Sequence, residues 1–249
     1  MSPFEIAAIL GAGLAAGTVN AIVGSGSLIT FPVLLAVGYA PVVANVTNTV
    51  GMAFGNVSGV VGYRRELAGQ RRRALILAIP SALGGLAGAI LLLALPASVF
   101  HRVVPVLVLL AVALVVVQPR LTAYLERYRD RGYSAWALRV GVFLTAIYGG
   151  YFGAAQGVIL IGLLAVFLVD DLQRLNGLKN VLAAVVNGVA AVLFVLVAHV
   201  AWEPAVLLAV SSVAGGQLGA AVGRRLPPNV LRAAIVAGGL AAVVKLVAT

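Results

Sequence analysis

The chain has 249 residues, of which 62% are hydrophobic and 10% charged, with a net charge of +10 and a mean hydropathy of +1.11. A soluble domain is about 45–50% apolar and about 25% charged, so this chain could show water little polar surface. Lipid as solvent removes that problem, and the 15 Arg and 2 Lys, set mostly between apolar runs, read as membrane orientation and not as a nucleic-acid surface.

A membrane span must satisfy its own backbone, which leaves helices or a closed barrel. The apolar runs are continuous and do not alternate, so helices are expected. In chain order they fall at 4–23, 26–39, 42–63, 74–95 and 103–118, then at 137–154, 156–169, 175–198, 204–223 and 230–248. The first has no basic stretch before it and does not read as a cleavable signal peptide. Crossing a bilayer takes about 20 residues, and the runs 26–39 and 156–169 are shorter than that. Each follows a small or polar break, Gly24-Ser25-Gly26 and Ala154-Ala155-Gln156-Gly157, and each reads as a half-helix. The longest polar stretch, Gln118 to Arg139, divides the chain near its middle. The expected organisation is a first repeat over 1–118, a cytoplasmic linker over 119–136 and a second repeat over 137–249.

The two halves align at a constant offset of 131 (157 − 26). Gly26 then matches Gly157, Asn45 matches Asn176 and Asn56 matches Asn187. Ser81, Gly84, Gly85, Gly88 and Ala89 match Ser212, Gly215, Gly216, Gly219 and Ala220, and Leu95-Pro96 matches Leu226-Pro227, all without a gap. This is an internal duplication. Loop charge suggests how the copies are oriented. Arg64, Arg65 and Arg71 to Arg73 follow the third segment, whereas the matching loop at His199 to Glu203 has no Lys or Arg. The next loop reverses the bias, with Arg102 against Arg224, Arg225 and Arg232. Short basic loops stay cytoplasmic, so matching loops fall on opposite sides, the repeat is expected to be inverted, and both termini are expected outside; short segments that only dip in and return would leave four crossings per half and make the repeats parallel. The fold class is therefore an all-α polytopic membrane protein of two inverted repeats, each with a broken helix.

Inverted repeats with breaks in corresponding places point to a binding site near the midplane. The short helix after each break starts with backbone N–H groups that favour an anion. Gly24, Ser25, Gly26 and Ser27 at the first break, with Gly153, Gln156 and Gly157 at the second, are the candidate substrate-binding residues. Gly and Ser at such positions equally suit close helix packing in membranes. A second polar cluster, Asn48 and Thr49 facing their register partners Lys179 and Asn180, is expected to close the cavity. Lys179 could instead be an anchor that reaches for the membrane surface beside Arg174, and Asn56 and Asn187 could simply join helices. All seven acidic residues lie at segment edges or in loops, which disfavours a cation carrier or a carboxylate proton relay. His101 and His199 sit at segment ends and no metal is expected. With no cysteine, disulfide and thiolate chemistry are ruled out. No Walker lysine loop, zinc-binding His-Glu motif or Ser/His/Asp arrangement occurs, so neither enzyme activity nor a cofactor is expected.

A glycine-rich first helix from Gly11 to Gly17, then Gly24 to Ser27 and Phe31-Pro32, resembles a known pattern. So do Pro41, Ala44-Asn45, Thr47-Asn48-Thr49, a basic loop before Pro80 to Gly88, and a second copy opening Tyr148-Gly-Gly-Tyr-Phe-Gly153. Over nearly the whole chain this resembles the sulfite exporter TauE/SafE family of membrane permeases. The resemblance implies a multi-pass protein of the bacterial plasma membrane that moves a small sulfur-containing anion, sulfite or an organosulfonate such as sulfoacetate. The residues alone imply a small anion carried by alternating access, with lipid as the other partner. A permease for another small metabolite such as an amino acid, and a non-transporting scaffold, are the alternatives. Oligomeric state stays open, and a homodimer is compatible. The sequence departs from the pattern at the second break, where Ala155-Gln156-Gly157 stands for Gly-Ser-Gly and Leu163 stands opposite Pro32.

Overall fold

The computed structural model describes residues 1–126 and 134–222, and among these it is helical throughout with no strand. The tenth apolar segment, Arg224, Arg225 and Arg232 lie outside the described residues. The first repeat contains α1 (Pro3–Ile22), α2 (Ser27–Ala36), α3 (Pro41–Gly62), α4 (Arg71–Ala94) and α5 (Ala97–Glu126). The second contains α6 (Ala135–Tyr151), α7 (Gln156–Phe167), α8 (Leu172–Val197) and α9 (Trp202–Val222). Pro3–Ile22, Arg71–Ala94, Ala97–Val117, Leu172–Val197 and Trp202–Ala221 are long and apolar enough to cross a membrane. α5 runs on to Glu126, six residues beyond Arg120, so the first part of the expected linker continues a helix.

Local sequence explains the ends. α1 opens with a capping box in which the Ser2 hydroxyl accepts from the Glu5 N–H and the Glu5 carboxylate accepts from the Ser2 N–H. Asp171 caps α8 by accepting from the Gln173 N–H, and Pro41 begins α3, where a missing N–H costs nothing. α2 has 10 residues and α7 has 12. At 1.5 Å per residue these are roughly 15 and 18 Å long, about half of a 30 Å hydrocarbon core. Both are half-helices, as their lengths in the sequence suggested.

Helix packing follows the duplication. α1 packs along α9, and its counterpart α6 packs along α4. α3 packs on α9, and its counterpart α8 on α4, while α3 and α8 pack on each other. Each repeat therefore buries its first and third helices against the fourth helix of the other repeat, so the halves are interlocked. The repeated Gly-Gly-x-x-Gly motifs make this possible. A side chain on Gly84 or Gly88 would overlap the Phe143 or Ile147 carbonyl oxygens of α6, and one on Gly215 or Gly219 would overlap the Leu14 or Thr18 carbonyl oxygens of α1. Without a hydrophobic drive between helices in lipid, such close approach is what holds them together. Thr18 and Ser58 reinforce it through hydroxyl bonds to the Gly215 and Val213 carbonyls at 3.1 and 2.7 Å.

Two expected outcomes test this arrangement. Gly88→Ala forces α4 from α6 and should lower stability by about 1–3 kcal/mol, whereas Gly11→Ala, with nothing within 4 Å, should stay within about 0.5 kcal/mol. Thermal unfolding of the purified protein in detergent reads both. The second test concerns orientation. Ala40 and Ala68 are exposed at opposite ends of α3, a helix of 22 residues and so about 33 Å long. With the Arg64–Arg73 loop cytoplasmic, Ala40→Cys should react with a membrane-impermeant maleimide on intact cells and Ala68→Cys should not. The reverse pattern would invert the assigned topology. Gln70 is unsuitable as a reporter because it is buried.

Candidate functional site

The two breaks meet. The Gly157 N–H donates to the Gly24 carbonyl at 3.0 Å, and a side chain on either glycine would overlap the other's Cα. The two breaks share one left-handed position in the register, and the second has a further one at Gly153, φ 76°. Gly24 lies in the left-handed region at φ 85°, and Ala155, its partner at the offset of 131 (155 − 24), does so at φ 60°. Ala155 is the one non-glycine residue with positive φ among the described residues. Holding alanine there costs of order 1–2 kcal/mol, so the turn is imposed by the surrounding fold and not by local preference. Where Gly-Ser-Gly is replaced, the left-handed turn is kept at Ala155, but α7 starts directly after it at Gln156, whereas α2 starts at Ser27.

Several helix-start N–H groups are already bonded. Gly157 N–H is held by Gly24, and Gly26 N–H donates to Asn20 Oδ1 at 3.3 Å. The expectation that both half-helices begin with free N–H groups fails at these two positions, because the breaks satisfy each other. Asn20 was not singled out from the sequence. It also donates to Asn56 Oδ1, and its only signal was an amide in a glycine-rich apolar helix.

The polar faces of α3 and α8 grip the interrupted ends. From α8, Asn176 and Asn180 donate to the Ala21 carbonyl at 3.3 and 3.1 Å. Lys179 Nζ lies 3.3, 3.4 and 3.4 Å from the carbonyl oxygens of Asn20, Ala21 and Ile22. From α3, Asn45 donates to the Tyr151 carbonyl at the end of α6, 2.9 Å away. Asn48 donates to Ser27 Oγ at 3.0 Å and accepts from Thr30, while the Thr49 hydroxyl turns back to the Asn45 carbonyl. Lys179 is thus not a surface anchor, since it is 1% exposed.

The structure therefore gathers Gly24 to Ser27, Gln156, Gly157, Asn48, Lys179 and Asn180 around one crossing. Thr49 is committed to its own helix, and Gly153 stands off beside Gly149 and Asn187. Two side chains stand apart. Ser25 Oγ and both amide atoms of Gln156 are buried without a hydrogen-bond partner, at residue exposures of 1% and 2%. The Gln156 amide lies over Gly149, where a side chain would overlap it. An aromatic cluster seals one flank: Phe31 meets Phe152 edge-on at 5.4 Å, and Phe100 lies 5.7 Å from Tyr151 and 6.2 Å from Phe152. Among the described residues no His, Asp or Glu cluster could hold a metal.

A family profile described as "Sulfite exporter TauE/SafE" matches residues 9–246. The chain belongs to the sulfite exporter TauE/SafE family. A "Probable membrane transporter protein" of Haemophilus influenzae is 28% identical over 208 residues, covering 84% of this chain and 81% of that protein. The "Probable membrane transporter protein YfcA" of Escherichia coli K12 is 25% identical over 220 residues, 88% of this chain and 81% of its own length. No solved structure matches significantly. This TauE/SafE member is an integral membrane transporter, and the crossing of its broken helices is the natural place to look for its substrate.

Away from the crossing, the basic loop of the first repeat is tied to the second. Arg73 Nη1 lies 2.6 Å from Asp170 Oδ2, and Arg174 Nε lies 2.8 Å from Asp170 Oδ1. Gln70 Nε2 bridges the Glu66 and Arg174 carbonyls at 2.9 Å each. Burial alone would raise the Asp170 carboxyl. The Asp171 N–H and the two guanidiniums outweigh it and hold its pKa below the usual carboxylate range. A carboxyl lowered by folding stabilises at pH values above its unfolded pKa, near 3.9, and loses that contribution as pH falls through the folded value. Asp170→Asn should therefore cost up to about 1 kcal/mol at pH 7. The gap to the parent protein should close as melts are repeated toward pH 3.

Proposed function

We propose that this TauE/SafE transporter carries a small oxyanion, sulfite or an organosulfonate such as sulfoacetate, across the bacterial plasma membrane by alternating access of two inverted repeats. The observation that carries the reading is the pair of unpartnered groups at the crossing, Ser25 Oγ and the Gln156 amide. A buried polar group without a partner costs about 1–3 kcal/mol, and lipid offers no alternative partner. The Ser25 hydroxyl and the Gln156 NH2 are donors, and the oxygens of a sulfite or sulfonate are acceptors. The charge around them agrees. A helix C-terminus carries roughly −0.5 charge and the Lys179 ammonium +1, which leaves the wall beside the first break net positive. Among the described residues, the carboxylates lie at helix ends or in loops. The family's designation as sulfite exporters supports sulfur in the substrate.

In this reading the anion lies between Gly24–Ser27 and Gln156–Gly157, with Asn48, Lys179 and Asn180 forming the walls, and Thr49 and Gly153 standing outside them. The flush contact of Gly24 and Gly157, the burial of the polar groups and the aromatic seal describe an occluded arrangement, which substrate entry must open.

Gln156→Leu and Ser25→Ala test the site without adding bulk. Each should weaken sulfite or sulfoacetate binding by about 1–3 kcal/mol, which is roughly 5- to 150-fold in Kd, as read by ligand-dependent thermal shift. Unliganded stability should hold or rise, because each change removes a buried group that has no partner. Unchanged affinity in both variants would place the substrate elsewhere, and a neutral analogue that binds as well as the anion would remove the charge argument.

A further inference from the structure

The Lys179 ammonium sits in an environment that differs from that of every other basic residue described. It is almost wholly buried, and among the described residues it forms no ion pair, the carboxylate contacts being those of Asp170 and Glu203. Its three neighbours are the carbonyl oxygens of Asn20, Ala21 and Ile22, at 3.3 to 3.4 Å. α1 ends at Ile22, so these oxygens belong to the last carbonyls of a helix, which have no intrahelical N–H to accept from. They point along the negative end of the helix dipole into a water-poor interior. A convergent set of carbonyls at the C-terminal end of a broken helix is a site for a monovalent cation. The amides of Asn176 and Asn180 complete the wall by donating to Ala21. At the matching place in the other repeat the residue is Asn48, which turns to Ser27 and Thr30, and the end of α6 is met by the neutral Asn45. A cation therefore belongs to one break only.

We propose that the terminal carbonyls of α1 form a monovalent-cation site that Lys179 fills with its own ammonium, a tethered substitute for a bound coupling ion. The charge that a sodium-coupled carrier would recruit from solution is here part of the chain. The site takes a primary ammonium or, when the lysine is removed, a small monovalent cation.

Chemical rescue tests this with no substrate present, so the result is independent of which anion is carried. Thermal unfolding of the purified protein is followed in butylammonium chloride, sodium chloride or choline chloride at equal ionic strength. The parent protein should respond alike to all three, its site being filled. Lys179→Ala should unfold at a lower temperature, and butylammonium, which replaces the missing chain and charge, should raise its midpoint saturably while choline does not. Sodium should give a smaller saturable rise. Lys179→Met fills the same volume without charge, and it should be less stable than the parent and insensitive to all three salts. A Lys179→Met protein as stable as the parent would overturn the proposal. So would a Lys179→Ala protein that choline stabilises as well as butylammonium does. If Lys179→Ala cannot be recovered folded, the comparison of Lys179→Met with the parent still decides the matter.

Discussion

A helix interrupted at membrane depth leaves backbone carbonyls and N–H groups that hydrocarbon cannot satisfy. This chain has two such interruptions, and several of its buried polar side chains are devoted to them. Lys179, Asn176 and Asn180 answer the end of α1. Asn45 answers the end of α6, and the Tyr148 hydroxyl donates to the Ala154 carbonyl inside the second break. Gly24 and Gly157 satisfy each other across the crossing. The partners come from the opposite repeat in nearly every case, so breaking the helices is also what welds the halves together. The Gly-Gly-x-x-Gly contacts then bring α4 and α9 close enough to enclose the crossing.

That accounting makes the exceptions informative. Ser25 and Gln156 lie at the two breaks, beside groups that are bonded, yet their side chains have no partner; elsewhere Ser81 Oγ and Asn56 Nδ2 are also buried without one. Empty positions of this kind are where a polar ligand replaces what the protein withholds.

Much of this was legible in the sequence because it rests on identity at a fixed offset. The duplication, the two short helices and the glycine motifs follow from Gly26 and Gly157, Asn45 and Asn176, and Gly88 and Gly219. Less could be read of what each polar group touches. Lys179 looks from its position near Arg174 like a surface anchor or an anion ligand, and only the path of α1 shows it to be a helix cap. Asn20 carries no periodic or motif signal, and its role arises because Gly26 and Asn56 come to it in space. The turn at Ala155 was hidden because alanine rarely adopts that conformation. The duplication contains the hint, since its partner is Gly24.

The two halves share a backbone plan but not their chemistry, and the differences are concentrated. If the repeats were chemically identical, the two arrangements that exchange their roles would have equal energy, and nothing would favour either. Lys179 faces Asn48 across the register, Asp170 faces Tyr39, Arg73 faces Pro204 and Arg174 faces Val43. Among the described residues, the short charged contacts therefore have no counterpart at the matching positions: an ammonium at one helix end, and a carboxylate between two guanidiniums that ties the halves together at one face. The face tied by Asp170 carries ion pairs that salt and pH can weaken. The opposing face, with Tyr39, Val43 and Pro204 in the same register, has one longer ion pair, between the Met1 amino terminus and Glu203 at 4.0 Å. The duplication thus supplies two similar helical halves, and a handful of charged residues in the first basic loop and at the start of α8 make them chemically unequal.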